Sequence, residues 1–236
     1  MEYGNQKVVS STGVGADIDV GLRQHMLRVY NYMTMALGIT GAVAYGVASS
    51  PALMTAIFGS SLRWLVILAP LGLVFFLSAR IQKMSVGAAQ TSFWIFAVLM
   101  GMSMASVFVI YTGTSIARVF FITAASFGAL SLYGYTTKRD LSAIGKFFFM
   151  GLIGIIIAMV VNFFLKSPAI YFAISVIGVL VFAGLTAYDT QKIKEMYLAT
   201  DASDIAGKKA IMGALTLYLD FINMFMFLLQ LFGARR

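Results

Sequence analysis

The sequence predicts an all-α integral membrane protein: a bundle of seven transmembrane helices with its amino terminus in the cytoplasm and its carboxyl terminus outside. Three observations carry this. Hydrophobic residues make up 60% of the 236-residue chain and charged ones 11%, against roughly 45–50% and 25% in a soluble domain. The apolar residues gather in runs of about 20, the length that crosses the hydrocarbon core of a bilayer. Lys and Arg are divided unequally between the polar segments that alternate along the chain, as membrane topology requires.

The runs cover about Tyr30 to Ala48, Leu62 to Ala79, Thr91 to Tyr111, Ile116 to Tyr135, Phe147 to Leu165, Ala169 to Tyr188, and Ala210 to Phe232. Only Thr112 to Ser115 divides the third from the fourth, and only Lys166 to Pro168 the fifth from the sixth, so each pair forms a tight antiparallel hairpin. Pro168 suits the first turn of the sixth helix. A six-span alternative makes the last run re-entrant, but its 23 residues favour full crossing. With seven spans, Arg63, Arg118, Lys166, Arg235 and Arg236 fall on one side and the other twelve basic residues on the opposite side, which is therefore cytoplasmic. Met33 to Ala44 resembles a signal-peptide core, yet the segment before it is too long and carries acids, so it is read as the first span, retained. Residues 1–28 form a polar cytoplasmic tail, with Val20 to Met33 a candidate extension of the first helix, and residues 29–236 form the membrane domain.

Composition also excludes chemistry. With no cysteine the chain has no disulfide framework, thiolate nucleophile or Cys-based metal site. The single His25 lies in the polar tail, so no His cluster forms within one chain. The net charge of +8 sits in loops where it sets topology, and nucleic acid is not an expected partner. No HExxH, Gly-x-Ser-Gly or Gly-x-Gly-Asp pattern is present, so no enzyme activity and no cofactor are expected. Gly38, Gly41, Gly151, Gly154, Gly178 and Gly184 read as close-packing positions. Trp64 and Tyr111 read as anchors in the outer aromatic belt.

Asp220 is the one charged residue between Ala210 and Phe232. A carboxylate at mid-bilayer costs roughly 3 kcal/mol on insertion scales, so such a residue faces protein or water, finds a partner or carries function. Thr216, Asp220, Asn223 and Gln230 follow one another at helical spacing and share a face. Two readings of that stripe stand: a hydrogen-bonded seam joining the last helix to its neighbours, or the wall of an ion or proton path. Asp189 lies at the inner end of the sixth run. Counted from Pro168 it falls about 30 Å along its helix, at the cytoplasmic surface, whereas Asp220 lies about 16 Å into the last helix. The two depths disagree by half a bilayer, and only tilt, a vestibule or an outward shift of the sixth helix removes the difference.

The stretches LYGYTTKRDLS (Leu132 to Ser142), GLTAYDTQK (Gly184 to Lys192) and GALTLYLDFINMFMFLLQLFG (Gly213 to Gly233) resemble the Bax inhibitor 1 family, the transmembrane Bax inhibitor motif proteins, in its bacterial inner-membrane branch. The resemblance runs from about residue 20 to the end. It implies seven spans, an inner-membrane location and a proton-sensitive calcium leak channel, with calcium and protons as permeant partners and lipid as surroundings. It further implies that Asp189 and Asp220 share a proton near the cytoplasmic end of the pore. Two carboxylates within a few ångströms cannot both ionise cheaply, so they titrate as a unit. Loss of the proton is expected to part the two helices and to expose Asp189 and Asp220 as weak, transient calcium ligands, with Thr216 and Asn223 supplying neutral oxygens. The resemblance implies, too, that an arginine of the second helix pairs with Asp189 in the closed state, and Arg80 is the basic residue at that helix's inner end. The family's glycine-rich third-helix segment is only loosely echoed by Gly101 to Ser106. The alternative function is an interaction protein, since the family includes a bacterial modulator of a membrane-bound ATP-dependent protease; the polar tail is then the element that binds.

Overall fold

A computed structural model describes residues 12–236, with side chains from Val20 onward. The first eleven residues of the tail, where the protease-modulating alternative looks for its contact, lie outside the described residues. Eight α-helices follow in order: α1 (Thr12–Ala48), α2 (Pro51–Phe58), α3 (Leu62–Arg80), α4 (Val86–Ile110), α5 (Gly113–Thr136), α6 (Ser142–Leu165), α7 (Pro168–Glu195) and α8 (Ser203–Phe232). Six of them, α3 to α8, are each long and apolar enough to cross a bilayer, and α1 joined to α2 across a 99° bend makes a seventh candidate.

Most of the expected spans sit inside these helices, and the differences lie at their ends. The short α2 was not expected; Ser50 caps it, accepting from the Leu53 amide, and Pro51 opens it. That is where a fixed φ and a missing N–H cost nothing. Helix α1 passes position 28 without a break, and Met26 and His25 are buried, so the polar segment continues into the bundle. His25 therefore belongs to the packed core beside the Tyr197 ring, not to a solvated tail. The two hairpins turn as tightly as their sequences require. Tyr111 and Thr112 join α4 to α5; Lys166, in the left-handed region at φ 52°, and Ser167 join α6 to α7. The polar stretch from Thr190 to Lys209 is mostly helical: α7 runs on to Glu195, and α8 begins at Ser203.

Helix α8 is the axis. It is ringed by α1, α4, α5 and α7, while α3 leans on α4 and α6 on α7. Of its apolar window 72% is buried, against 6% for α6. A long, largely apolar helix belongs inside protein or in lipid, and here α8 takes the first place and α6 the second. The carboxyl terminus closes the far end: Thr112 donates to the Ala234 carbonyl at 3.0 Å and the Arg236 amide to Ile110 at 3.0 Å. Tyr111, expected as a lipid-facing anchor, is instead 5% exposed and packs beneath the Arg235 guanidinium, because this terminal strap covers it. Trp64 is exposed in the manner of a belt residue.

Close approach of helices falls on some of the expected glycines and on others not expected. A Cβ on Gly178 would meet the Phe227 ring at 2.6 Å and one on Gly184 the Phe148 ring at 2.0 Å, whereas Gly38, Gly41 and Gly154 face open space. The tightest backbone approach is at Gly134, where a Cβ would stand 2.1 Å from the Ala187 carbonyl oxygen. A main-chain atom cannot rotate aside, so Gly134→Ala must part α5 from α7. That substitution is expected to cost about 1–3 kcal/mol and to lower the melting temperature of the detergent-purified protein. Gly38→Ala, into open space, leaves it unchanged.

Candidate functional site

Antiparallel packing of α7 against α8 sets the site. Three contacts fix their register: Ile193 lies against Gly213, Gly178 against Phe227, and the Ser175 hydroxyl donates to Gln230 Oε1 at 2.8 Å. This register sets Asp189 roughly level with Thr216, and Asp220 about one turn, or 5 Å, farther from the end of the bundle that holds Lys192 and Lys194. Side chains on a helix lean toward its amino terminus. Because the two helices run oppositely, Asp189 leans into the membrane and Asp220 leans back, and each closes part of the gap. Their carboxyl groups thereby face each other across the α7–α8 gap at the cavity both line. The half-bilayer disagreement in depth disappears because α7 does not end at Asp189; it continues a further turn and a half.

Asp220 is 4% exposed, and its Oδ2 has no hydrogen-bond donor among the described residues. An ionised carboxylate only accepts hydrogen bonds. Two such groups therefore bond to each other only with a proton between them, and without it they repel.

Both acids line a cavity of about 840 Å³ between α6, α7 and α8, with Leu71 of α3 on its edge. Thr216 and Asn223 line it too, and both direct their donors elsewhere. The Thr216 hydroxyl donates to the Met212 carbonyl at 3.1 Å, and the Asn223 amide nitrogen to the Leu219 carbonyl at 2.8 Å. Their acceptor oxygens are left for the cavity. The fourth residue of the stripe behaves differently: Gln230 is tied to Ser175 and belongs to the seam. Between them, Phe227 stacks on Phe182 with ring centroids 5.9 Å apart and presses on Gly178, which fills the α7–α8 interface beyond Asn223. The stripe is thus cavity wall at one end and seam at the other.

Arg80 stands apart from the site. It is exposed at the end of α3, nine residues and about 14 Å along the helix from Leu71, and the one salt bridge among the described residues is Lys209 with Asp201 at 2.6 Å. The expected pairing of Arg80 with Asp189 is not formed in this structure. Two cations share the cavity with Asp189: Lys192, one turn along the same helix, and Lys146 of α6. Gly101 packs on the Thr40 carbonyl and Val43 of α1, and Ser103 donates to the Val66 carbonyl of α3, so that segment joins helices and does not line the cavity.

Gln191 was missed by sequence reasoning, although it lies in one of the quoted stretches. Its side chain accepts from the Leu141 amide at 2.8 Å and donates to the Arg139 carbonyl at 2.8 Å. Nearby, Lys194 donates to the Tyr135 carbonyl at 2.8 Å, and Ser131 and Thr190 share a hydrogen bond at 2.9 Å. Asp140 accepts from Ser142, which holds its carboxyl below the usual carboxylate range. The stretch around Tyr135 to Ser142 is therefore docked onto the end of α7, two residues from Asp189, and the third stretch meets it through Asp220.

These three stretches are the ones the resemblance rests on, and comparison with known proteins gives the same answer. The family described as "Inhibitor of apoptosis-promoting Bax1" matches residues 22–236. The chain belongs to this family. It is 51% identical over 219 residues, 92% of its own length and 94% of the relative's, to inner membrane protein YbhL of Escherichia coli strain K12. Identity is 48% over 230 residues, 98% of both chains, to the protein RP147 of Rickettsia prowazekii, and 44% over 234 residues to a protein of Caulobacter vibrioides, covering 93% and 92%. A multi-pass location in the inner membrane follows from this likeness and the six or seven apolar helices.

The register of α7 on α8 has a direct test. Gly178→Leu forces the Phe227 ring aside, at about 1–3 kcal/mol, and Phe227→Ala leaves a void worth about 3–5 kcal/mol. In the double variant the new leucine enters that void, so the losses in melting temperature are expected to be well short of additive. Additive losses would show that the two positions do not meet.

Proposed function

We propose that the chain is a proton-sensitive calcium leak channel or transporter of the inner membrane, gated by a proton shared between Asp189 and Asp220. One observation carries the reading: two acids on antiparallel helices face each other at a cavity whose other polar wall, Thr216 and Asn223, offers acceptor oxygens. Calcium takes six to eight oxygen ligands at flexible geometry. Two carboxylates, a hydroxyl, an amide oxygen and waters suffice for such a shell, with fewer acids than a calcium-storing loop collects. Binding is then weak and transient, as permeation requires.

In this reading the Lys- and Arg-rich end of the bundle faces the cytoplasm. With the proton in place, α7 and α8 are joined at Asp189 and Asp220, and Phe227 fills the path beyond. Its loss leaves two like charges that push α7 from α8 and present carboxylate oxygens to a cation. The protein acts as a conduit and not as an enzyme, and calcium is its cargo and not a resident cofactor.

Flux into liposomes loaded with a calcium dye is expected to rise with pH, by up to about tenfold per pH unit for a one-proton switch. Asp220→Asn, which keeps the shape and removes the second charge, is expected to flatten that dependence; a pH profile identical to wild type would sink the gate. Thr216→Val with Asn223→Leu tests the ligands separately. This pair is expected to lower calcium flux several-fold at every pH while leaving the midpoint in place. If Asp220→Asn flattens the profile but calcium passes no better than sodium, the gate stands and the ion is wrong.

A further inference from the structure

The opposite side of α8 holds a second cleft that the acid pair does not use. Helices α1 and α5 straddle α8 there, and a cavity of about 620 Å³ runs between them from Arg23 to Leu37, about 21 Å along α1. A further cavity of about 270 Å³ continues it past Leu37, Phe120 and Phe221, which border both. Apart from Thr34, the walls are apolar except at one end. There Arg23 is exposed at the rim, the Tyr30 hydroxyl is bonded to Ser131, and Ser131 to Thr190. Lys194 adds an ammonium behind Tyr135, 5.5 Å from its ring. Among the described residues no carboxylate lines the cleft.

A membrane-embedded cleft with apolar walls and a guanidinium at one rim is complementary to a molecule with an acyl chain and an anionic head. We propose that this cleft binds an anionic phospholipid, with its phosphate at Arg23 and one acyl chain laid between α1 and α5 against Phe127 and Phe221. Three features set it apart from ordinary boundary lipid. The cleft is deeper than a helix surface, since it reaches between α1 and α5 to Phe221 of α8. Its length exceeds the roughly 15 Å of one leaflet's hydrocarbon, so a whole chain is accommodated. Among the described residues its one charged group, Arg23, stands at the rim, where guanidinium donors match phosphate oxygens. The inference does not depend on the transport reading, because none of these residues lines the acid cavity.

Gly128 supplies the test. It lies on the cleft wall, and a Cβ there meets nothing within 4 Å, so Gly128→Phe fills the cleft without displacing protein. Native mass spectrometry of the full chain, purified in detergent and offered equimolar dioleoyl phosphatidylglycerol and dioleoyl phosphatidylcholine, reads retained lipid directly. Wild type is expected to retain phosphatidylglycerol with about fivefold preference, the worth of one basic contact. Arg23→Gln is expected to abolish the preference, Gly128→Phe to remove retention of both lipids, and Arg63→Gln, far from the cleft, to change nothing. Preference that survives Arg23→Gln, or retention that survives Gly128→Phe, would overturn the proposal, leaving boundary lipid only. Retention of oleate with exclusion of phosphatidylglycerol would overturn it in favour of a free fatty acid. Melting temperatures of both variants, equal to wild type in lipid-free detergent, show that the loss is not unfolding.

Discussion

Burial of one carboxyl group on the most enclosed helix is the constraint from which the rest of the bundle follows. Asp220 lies within a helix apolar enough to cross the bilayer, where an ionised acid is expensive, and the other faces of that helix are covered by α1, α4, α5 and α7. Only one face of α8 remains for a polar stripe, and the acid on it has either to be neutralised or to meet water. Both conditions are available at one place, the cavity shared with Asp189. The geometry that brings the two acids together comes from direction and not from depth. On antiparallel helices the Cβ vectors oppose each other, so residues a full turn apart in level are joined by side chains leaning across the gap.

Around that pair the helices are held almost without charge. Thr40 and Tyr218 share a hydrogen bond at 2.7 Å, Ser175 reaches Gln230, and Ser131 joins Thr190, all between neutral groups. Such bonds average about 0.6 kcal/mol in a membrane bundle, too little to order seven spans. Contact supplies the remainder, and it is concentrated where glycine lets one helix touch another's backbone or ring. Gly134 on Ala187, Gly145 and Gly184 on aromatic rings, and Gly178 on Phe227 all lie on α5, α6 or α7. Close packing thus surrounds α7, the helix that bears Asp189. The outer α3 and α6 face mostly lipid, which leaves room for a cavity between α6, α7 and α8.

The spans, hairpins and polar face of α8 were legible because each depends on local chemistry: run length, a Pro at a helix start, and spacing of four and three between Thr216, Asp220 and Asn223. Helix ends were less so. Residues 190–195 and 203–209 are polar and charged, and hydropathy stops where the bilayer stops while hydrogen bonding does not. That error alone produced the false depth of Asp189. The burial of Tyr111 and His25 was not readable either, since each is covered by a segment far away in sequence, the terminal strap in one case and Tyr197 in the other. Glycine contacts divided for the same reason: Gly178 and Gly38 look alike in the sequence, and only the partner helix distinguishes them. Gln191 shows the limit from the other side, a polar residue in a conspicuous stretch whose role is to hold the backbone of a different loop.

On the proposed reading, proton and calcium compete for the same oxygens, and the consequence is thermodynamic. A bound cation between Asp189 and Asp220 excludes the proton that joins them, so each ligand weakens the other by the same factor. Lys192, one turn from Asp189 on the same face, biases that contest, because its ammonium favours the ionised acid while repelling an arriving cation. Attraction to Asp189 acts whether or not calcium is present, whereas repulsion acts on calcium both as it enters and while it is bound. A lysine in this position therefore weakens the hold of the pair on proton and calcium alike, which suits a leak and not a storage site.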